Sequence, residues 1–448
     1  MDLGDPRESL ISFETPATWE ADNRLEERWQ WGAQLLDLCN LPPKEYKDST
    51  IVMCKIVNSG SPVPPTPPGH DYSKDYLTFK ALSDGVLRWG YDYYGEEDPY
   101  EGLAIEYRKN NGEWTTIIPT QYEFDESFVT ITGGGSSINV VSGDVIEFRG
   151  DYQAYGDDWN TFQHLFNGTA NFNLMGNIMS MVNSTGYPAE TVLQSAFTFG
   201  YLFEYVPGLT DASNLVLPAT TLTEGCYTFM FYGCTSLTTA TELPAPTLAE
   251  HCYGEMFAGC TSLTTAPELP ATTLTEGCYW SMFAGCTSLT TAPELPATTL
   301  ASSCYYYMFA GCTNLTTAPE LPATTLVYGC YGYMFDYCTS LTTAPELPAT
   351  TLAEYCYQSM FYGCTSLTTA PELPATTLTP DCYRQMFYNC TSLNYIKCLA
   401  TDISAVGCTN GWVGGVASAG TFVKNSNMSS WTTGVNGIPN GWTVQDAS

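Results

Sequence analysis

Pairs of cysteines recur through the second half of this 448-residue chain. The members of a pair lie eight residues apart, and successive pairs are 26 residues apart, from Cys226 and Cys234 to Cys382 and Cys390. Eight residues of helix separate two thiols by about 12 Å, which is too far for a disulfide. Zinc needs tight Cys or His clusters, and the array has one histidine, His251. We therefore predict buried free thiols, with a disulfide or metal ladder as the alternative.

Other residues that could do chemistry show no catalytic pattern. His70, His164 and His251 stand apart from one another, and no nucleophile elbow, P-loop or metalloprotease motif is present. The 47 acidic residues leave a glycosidase pair open without singling one out. The acidic runs 96–98 and 157–158 offer oxygen ligands for Ca²⁺, but solvated loops are the simpler interpretation. We predict a protein that is not an enzyme and needs no metal or cofactor.

Charge narrows the class of partner. Asp and Glu total 47 against 15 Lys and Arg, so the net charge is −32. Such a chain has little positive charge with which to neutralise phosphates or anionic lipid, which argues against nucleic acid and membrane surfaces as partners. The N-terminal residues lack the basic and apolar regions of a secretory signal, and no stretch has the length of a membrane span. We expect a chain that folds in a cytosol, with its thiols reduced.

The cysteine pairs belong to a 26-residue repeat that must position them. In one unit, Cys278, Met282 and Cys286 lie four residues apart, which predicts one face of a short helix. The residue before the second cysteine is usually glycine, which suits a left-handed helix end; Tyr337 breaks this rule. The segment 289–300 contains two prolines and predicts an extended chain. Its leucines Leu289, Leu295 and Leu300 are then expected to point inward, toward a core that only stacking of units closes.

Some positions vary between units while the frame stays constant. They are the three residues before the first cysteine and the two after the tyrosine that follows it. Aromatic residues on a rigid frame suit recognition of glycan or protein, whereas neutral drift is the simpler alternative. The candidate ligand-binding residues, frame tyrosines included, are Trp280, Tyr305, Tyr306, Tyr307, Tyr328, Tyr333, Tyr355 and Tyr357. An acidic row, best explained by solubility, comprises Glu242, Glu268, Glu294, Glu320, Glu346 and Glu372.

Residues 72–150 predict a small β-sandwich, because short apolar runs alternate with turn signals. The candidate strands are Tyr76–Ala81, Val86–Tyr91, Leu103–Arg108, Trp114–Pro119, Phe128–Ile131, Ile138–Val141 and Asp144–Arg149. Before them, residues 59–71 contain a proline-rich run that predicts a stiff linker.

Residues 1–58 form a separate segment. Residues 17–39 have the spacing of an amphipathic helix, and residues 50–57 predict a strand. Such a piece is small for an independent core, so we interpret it as an attachment segment, with an ordinary small helical subdomain as the alternative. The candidate attachment residues are Trp19, Leu25, Trp29, Trp31 and Leu36.

The repeat consensus C-Y-x-x-M-F-x-G-C-T-S-L-T-T-A-P-E-L-P resembles the BspA-type leucine-rich repeats of gut Bacteroidales and their phages. The resemblance covers roughly residues 160–448, including a degenerate first cap at 172–180 and a Trp-rich end. It implies a leucine-rich-repeat solenoid and a role in adhesion. The expected fold is mainly β with short helices. Its order is an N-terminal attachment segment (1–58), linker (59–71), β-sandwich (72–150), N-terminal cap (151–222), solenoid (223–397) and C-terminal cap (398–448).

The layout of these segments favours a virion protein of a Bacteroides phage, of a crAss-like kind. Residues 1–58 would hold the capsid or tail, and the solenoid would meet a glycan or protein of the host surface. Assembly in the host cytoplasm needs no export signal, and the fibre would form a homo-oligomer. The alternative is a bacterial surface or interaction protein with the same repeats.

Overall fold

The computed structural model describes residues 70–93, 103–124, 131–156, 162–428 and 431–447. The chain divides into two units, residues 1–69 and 70–448, and the description concerns the second. The predicted helix 17–39, the predicted strand 50–57 and both acidic runs therefore lie outside the described residues. Among the described residues, no helix has the length and apolarity needed to cross a bilayer.

Two sheets form the first part of this unit. One sheet has the strand order β11-β10-β1-β8-β3-β4, and the other the order β6-β5-β2-β7 with β9 on the opposite side of β2. The strands, in chain order, are β1 (Leu77–Ala81), β2 (Gly85–Tyr93), β3 (Ile105–Lys109), β4 (Thr115–Ile117), β5 (Thr120–Phe124), β6 (Ile131–Gly134), β7 (Ser136–Val140), β8 (Val145–Arg149), β9 (Phe162–Gly168), β10 (Phe172–Asn177) and β11 (Leu209–Val216).

Aromatic side chains fill the space between the two sheets. Phe79 of β1 lies 4.9 Å from Phe166 of β9, measured between ring centroids, and Trp89 of β2 lies 4.7 Å from Phe166. All three are fully buried. Each of the seven candidate strands overlaps an observed strand, although the interval at 128–131 reaches only the first residue of β6. No candidate strand covers β5, which begins directly after Pro119.

The first sheet continues into the repeats. Strand β10 pairs in parallel with β11, and Asp211 of β11 makes a parallel bridge to Thr239 of the first unit. Thr239 bridges in turn to Thr265, 26 residues on. One buried cluster of apolar side chains runs from Leu77 to Trp442. The sheet therefore provides the template on which the first repeat unit lies.

The cysteine-containing half of each unit is a ribbon of turns. In the unit of Cys278, the N–H groups of Cys278 and Trp280 donate to carbonyls three residues back, at 3.3 and 3.0 Å. The intervening N–H groups instead donate to the next unit, as Tyr279 does to the carbonyl of Cys304 at 3.1 Å. Bonds from residue i to i−4, which define an α-helix, are replaced by this alternation. The short helices predicted here are wrong, and the described residues contain only 3₁₀ helices, at Tyr72–Lys74, Ile178–Met181 and Tyr187–Ala189.

Every fourth residue of the ribbon has a left-handed backbone. In the unit of Cys278 these residues are Gly277, Ser281 and Gly285, with φ of 56°, 50° and 71°. The glycine before the second cysteine was therefore correctly predicted to be left-handed, but it closes a turn and not a helix. Tyr337 adopts the same conformation, with φ of 53°, despite its side chain.

Stacking of units builds the core in columns of identical side chains. Tyr279, Tyr305 and Tyr331 are almost completely buried, and their rings stack at centroid distances of 5.9 and 5.8 Å. The leucines Leu289 and Leu295 are buried as predicted, as is Leu300. The extended half of each unit meets the next through parallel bridges between threonines, such as Thr273 and Thr299.

The sixteen described cysteines are free and buried, as predicted. The second cysteine of a unit has a further role, since its thiol donates to a phenylalanine carbonyl of the preceding unit. The distance from Cys286 Sγ to the Phe257 oxygen is 3.1 Å, and the same bond recurs from Cys234 to Cys390. Burial raises the pKa of these thiols. These cysteines are structural residues. The turn ribbon, and not a helix, sets the distance between them.

A three-stranded parallel sheet and a tryptophan close the far end of the stack. The strands are β12 (Tyr395–Cys398), β13 (Thr421–Lys424) and β14 (Thr443–Asp446), in that order. The buried indole of Trp412 stacks on Tyr383 at 6.3 Å and on Trp431 at 5.6 Å. It therefore covers the last ring of the tyrosine column.

Candidate recognition surface

The turn ribbon also carries the variable positions. Counting the first cysteine as position 1, positions 3, 4, 7 and 8 and the residue before the cysteine change from unit to unit, while positions 1, 2, 5, 6 and 9 are core. We call the surface formed by the changing positions the variable face. The parallel stacking places the same position of successive units side by side. A ligand on this face would therefore meet side chains of several units at once.

Two of the predicted binding residues are not on this face. Tyr305 and Tyr357 are 1% and 2% exposed and belong to the stacked tyrosine column. They occupy position 2, whose side chain lies in the core together with those of positions 1 and 5. Their assignment to the binding surface is wrong.

Three of the remaining candidates form one cluster. The rings of Tyr307 and Tyr333 stack at a centroid distance of 4.4 Å, although they belong to successive units. Tyr306 packs edge-on against both, at 4.8 and 5.4 Å. The hydroxyl of Tyr333 accepts a hydrogen bond of 2.8 Å from the side chain of Gln358. Desolvation raises the pKa of Tyr306 to about 12 and that of Tyr307 further.

The other candidates lie nearby but are separate from this cluster. Tyr328 is exposed and meets Tyr355 edge-on at 5.5 Å. Trp280 is half-buried, two units before Tyr333, and lies 6.5 Å from the ring of His251. The structure thus brings the candidates together in two groups and leaves Trp280 apart.

Sequence reasoning missed a second row of tyrosines. Tyr337 contacts Tyr362 at 5.4 Å, and Tyr362 stacks on Tyr388 at 5.1 Å. Position 8 carries glycine in five of the seven units and therefore resembles the constant frame, whereas position 7 carries alanine in three units and tyrosine in three. The signal that would have found them is the replacement of these small residues by tyrosine in successive units. Asp336, at position 7 beside Tyr337, is the one acid to replace that alanine.

Several of these rings are held in a costly backbone conformation. Tyr307, Tyr333, Tyr337 and Tyr355 have φ between 53° and 59°. A residue with a side chain pays about 1–2 kcal/mol for the left-handed region, whereas glycine enters it freely. Other units carry glycine at the positions of Tyr337 and Tyr355, for example Gly311 and Gly329, whereas the position of Tyr307 and Tyr333 is left-handed without glycine in every repeat unit. Tyr337 and Tyr355 therefore stand where other units use glycine, and such retained backbone strain is typical of functional sites.

The acidic row lies elsewhere, on the extended half of the units. Its six glutamates are exposed to solvent. Glu372 pairs with Lys397 at 2.8 Å. Exposure relieves the repulsion between neighbouring carboxylates, so the row needs no bound cation.

The described histidines show no catalytic arrangement. His164 is buried, stacks on Trp89 at 5.4 Å and accepts a hydrogen bond of 2.8 Å from the N–H of Leu103. Burial lowers its pKa to about 3, so it stays neutral. His70 contacts Asp75 at the surface. Among the described residues, no group of three or more His, Cys, Asp or Glu side chains is placed to hold a metal ion. The attachment candidates Trp19, Leu25, Trp29, Trp31 and Leu36 lie outside the described residues.

The stacked units, with leucines repeated at fixed positions and a variable face, form a repeat region. Residues 208–342 and 302–407 match the family described as BspA type leucine rich repeat region, six copies. In this part of the chain the sequence is thus similar to BspA-type leucine-rich repeats, and this similarity supports a surface or interaction repeat protein. No curated protein and no solved structure matches the chain.

Proposed function

We propose that this chain is an interaction protein that binds a partner macromolecule through the variable face and carries out no catalysis. In this proposal the stacked units form a solenoid, whose constant core holds the face rigid. The observation that carries the proposal is the tyrosine cluster of Tyr306, Tyr307 and Tyr333. Two of its members occupy left-handed positions where glycine is more stable, and their rings remain partly exposed. Aromatic surfaces of this kind suit the faces of sugar rings and apolar side chains of proteins.

The test is a binding screen of the full chain on a glycan array and on a peptide array, followed by variants. The variant Y306S/Y307G/Y333G removes the three rings and leaves small residues in their place. The control variant E268Q/E294Q changes two exposed residues of the acidic row. We expect probes bound by the unmodified chain to be lost in the tyrosine variant and kept in the control. Equal binding by all three proteins would overturn the proposal.

The finer proposal is that the chain is a virion fibre or decoration protein of a phage. Residues 1–58 would attach it to capsid or tail proteins, and the solenoid would bind the host surface. Support comes from the order of segments in the sequence, with a proline-rich linker between a short N-terminal segment and the β domain. A chain that lacks residues 1–58 should fold and stay out of assembled particles. Incorporation of this truncated chain at the full level would refute the attachment role. Detection of the protein on bacterial envelopes and not on particles would favour the alternative, a bacterial surface or interaction protein.

A further inference from the structure

One half-buried carboxylate stands at position 7 within the aromatic part of the variable face. Asp336 stands at position 7, where the three preceding units carry Ala258, Ala284 and Ala310. Its side chain is half-buried, and its Oδ1 atom is shielded from solvent without a hydrogen-bond partner. Such an oxygen lowers the free energy of unfolding, because it has given up its hydrogen bonds to water without a replacement. Alanine at the same position avoids that cost, so the fold does not require an acid here.

Tyrosines from three successive units belong to the same part of the variable face as this carboxylate. It interacts electrostatically with the hydroxyl groups of Tyr307, in the unit before, and Tyr362, in the unit after. Tyr307 stacks on Tyr333 at 4.4 Å, and Tyr362 contacts Tyr337 at 5.4 Å. The N–H group of Asp336 donates to the carbonyl of Tyr333 at 3.0 Å, and Tyr337 is the next residue in the chain, so the aspartate adjoins one member of each ring pair. We call these five residues the Asp336 cluster.

No positive charge of the repeat region compensates this carboxylate. Residues 223–396 contain thirteen acids and one base, Arg384. Arg384 pairs with Asp381 at 3.6 Å, in a unit two further on. The buried thiols of Cys338 and Cys364 are the other titratable groups near Asp336. The cluster thus combines a partly desolvated carboxylate with the electron-rich faces of tyrosine rings.

We propose that the Asp336 cluster binds the cationic side chain of a lysine or arginine from a partner protein. This inference rests on the proposed function of the variable face and names its ligand chemistry. A cation gains from the ring faces of tyrosine and from the carboxylate together, and both gains grow when water is excluded. A neutral sugar hydroxyl would leave the negative charge without compensation. The acid surplus along the face extends the same preference to neighbouring residues of a basic segment.

The pH dependence of binding follows from the same geometry. Desolvation raises the pKa of Asp336 to about 7, so the carboxyl is largely neutral at pH 6 and ionised at pH 8. Burial raises the pKa values of Tyr307, Tyr362, Cys338 and Cys364 above their ordinary ranges, so these groups stay neutral throughout this interval. Affinity for a cation should therefore rise between pH 6 and pH 8.

The experiment uses the full chain and a fluorescent oligolysine peptide, with the same peptide acetylated on its side chains as the uncharged control. The variant D336N keeps the shape of the side chain and removes its charge. E346Q removes one exposed charge from the same unit and serves as the matched control. D336A carries the residue of the preceding units, which shows that the position folds without an acid.

We expect D336N and D336A to weaken oligolysine binding by about tenfold or more, and E346Q by less than about twofold. The unmodified chain should bind more tightly at pH 8 than at pH 6, and D336N should lose this difference. Equal weakening by D336N and E346Q would show unspecific attraction to the acidic surface and overturn the inference. If Y307G/Y333G abolishes binding to a glycan while D336N leaves it unchanged, the variable face binds ligands but not through a cation. If the tyrosine variant affects no probe, the proposed function itself fails.

Discussion

Two tyrosines that lie two residues apart should respond oppositely to truncation. Tyr305 is 1% exposed and belongs to the buried column, whereas Tyr307 is half-buried on the variable face with φ of 56°. The perturbations are Y305A, which empties a core position, and Y307G, which removes a ring from a left-handed position. By sequence, both tyrosines are candidate ligand-binding residues.

The magnitudes follow from their surroundings. The ring of Tyr305 stacks on Tyr279 at 5.9 Å and on Tyr331 at 5.8 Å, so Y305A leaves a cavity between two layers. Removal of a buried aromatic ring costs about 3–5 kcal/mol. Y307G loses the stack with Tyr333, which is worth about 0.5–1.5 kcal/mol. It also relieves about 1–2 kcal/mol of backbone strain. The two terms nearly cancel, so Y307G should change the free energy of unfolding by less than about 1 kcal/mol.

The assay is urea denaturation followed by circular dichroism, on the unmodified chain and both variants. S281G is the control, because Ser281 has the same left-handed backbone, with φ of 50°, and no ring to lose. It should be stabilised by up to about 1 kcal/mol. A loss of about 3 kcal/mol or more in Y307G, similar to that in Y305A, would refute the reasoning. Tyr307 would then be a core residue, and the strain argument for the variable face would fail.

Three further predictions concern the core and the charged surface. L295D should unfold the array, because it places an unpaired charge in an apolar core. The neighbouring exposed residue provides the control, since E294A should leave the melting temperature unchanged. An L295D variant that melts like the unmodified chain would show that Leu295 is exposed. In the native chain, iodoacetamide should label at most two of the 18 cysteines, because the sixteen described thiols are buried; labelling of more, read by mass spectrometry, would contradict this. Asp144 is hydrogen-bonded by Lys109, which lowers its pKa to about 2. A depressed pKa stabilises the fold above the unfolded value near 4 and loses this effect as pH falls toward 2. D144N should therefore melt lower than the unmodified chain at pH 6, and the difference should shrink at pH 2; a constant difference would exclude this ion pair as its cause.

Much of the repeat region followed from the sequence alone. The period of 26, the buried leucines such as Leu295, the buried thiols and the left-handed glycines were all predicted correctly. Each of these predictions depends on a local property, either the burial of an apolar side chain or a backbone angle that glycine tolerates. The repeats make these properties easy to recognise, because every unit has the same residue types at the same positions.

The predicted short helix and two of the predicted binding residues were wrong, because they depend on contacts between units that residue spacing does not specify. Cys278, Met282 and Cys286, four residues apart, fit one face of a helix and equally a ribbon whose turns recur every four residues. The choice rests on hydrogen bonds such as that from the Tyr279 N–H to Cys304, 25 residues away in the next unit. The same bonds send Tyr305 into the core and Tyr307 to the surface, and they place Asp336 beside tyrosines of neighbouring units. The sequence determined what repeats, and only the stacking of units decided which side chains meet, because those partners are distant along the chain.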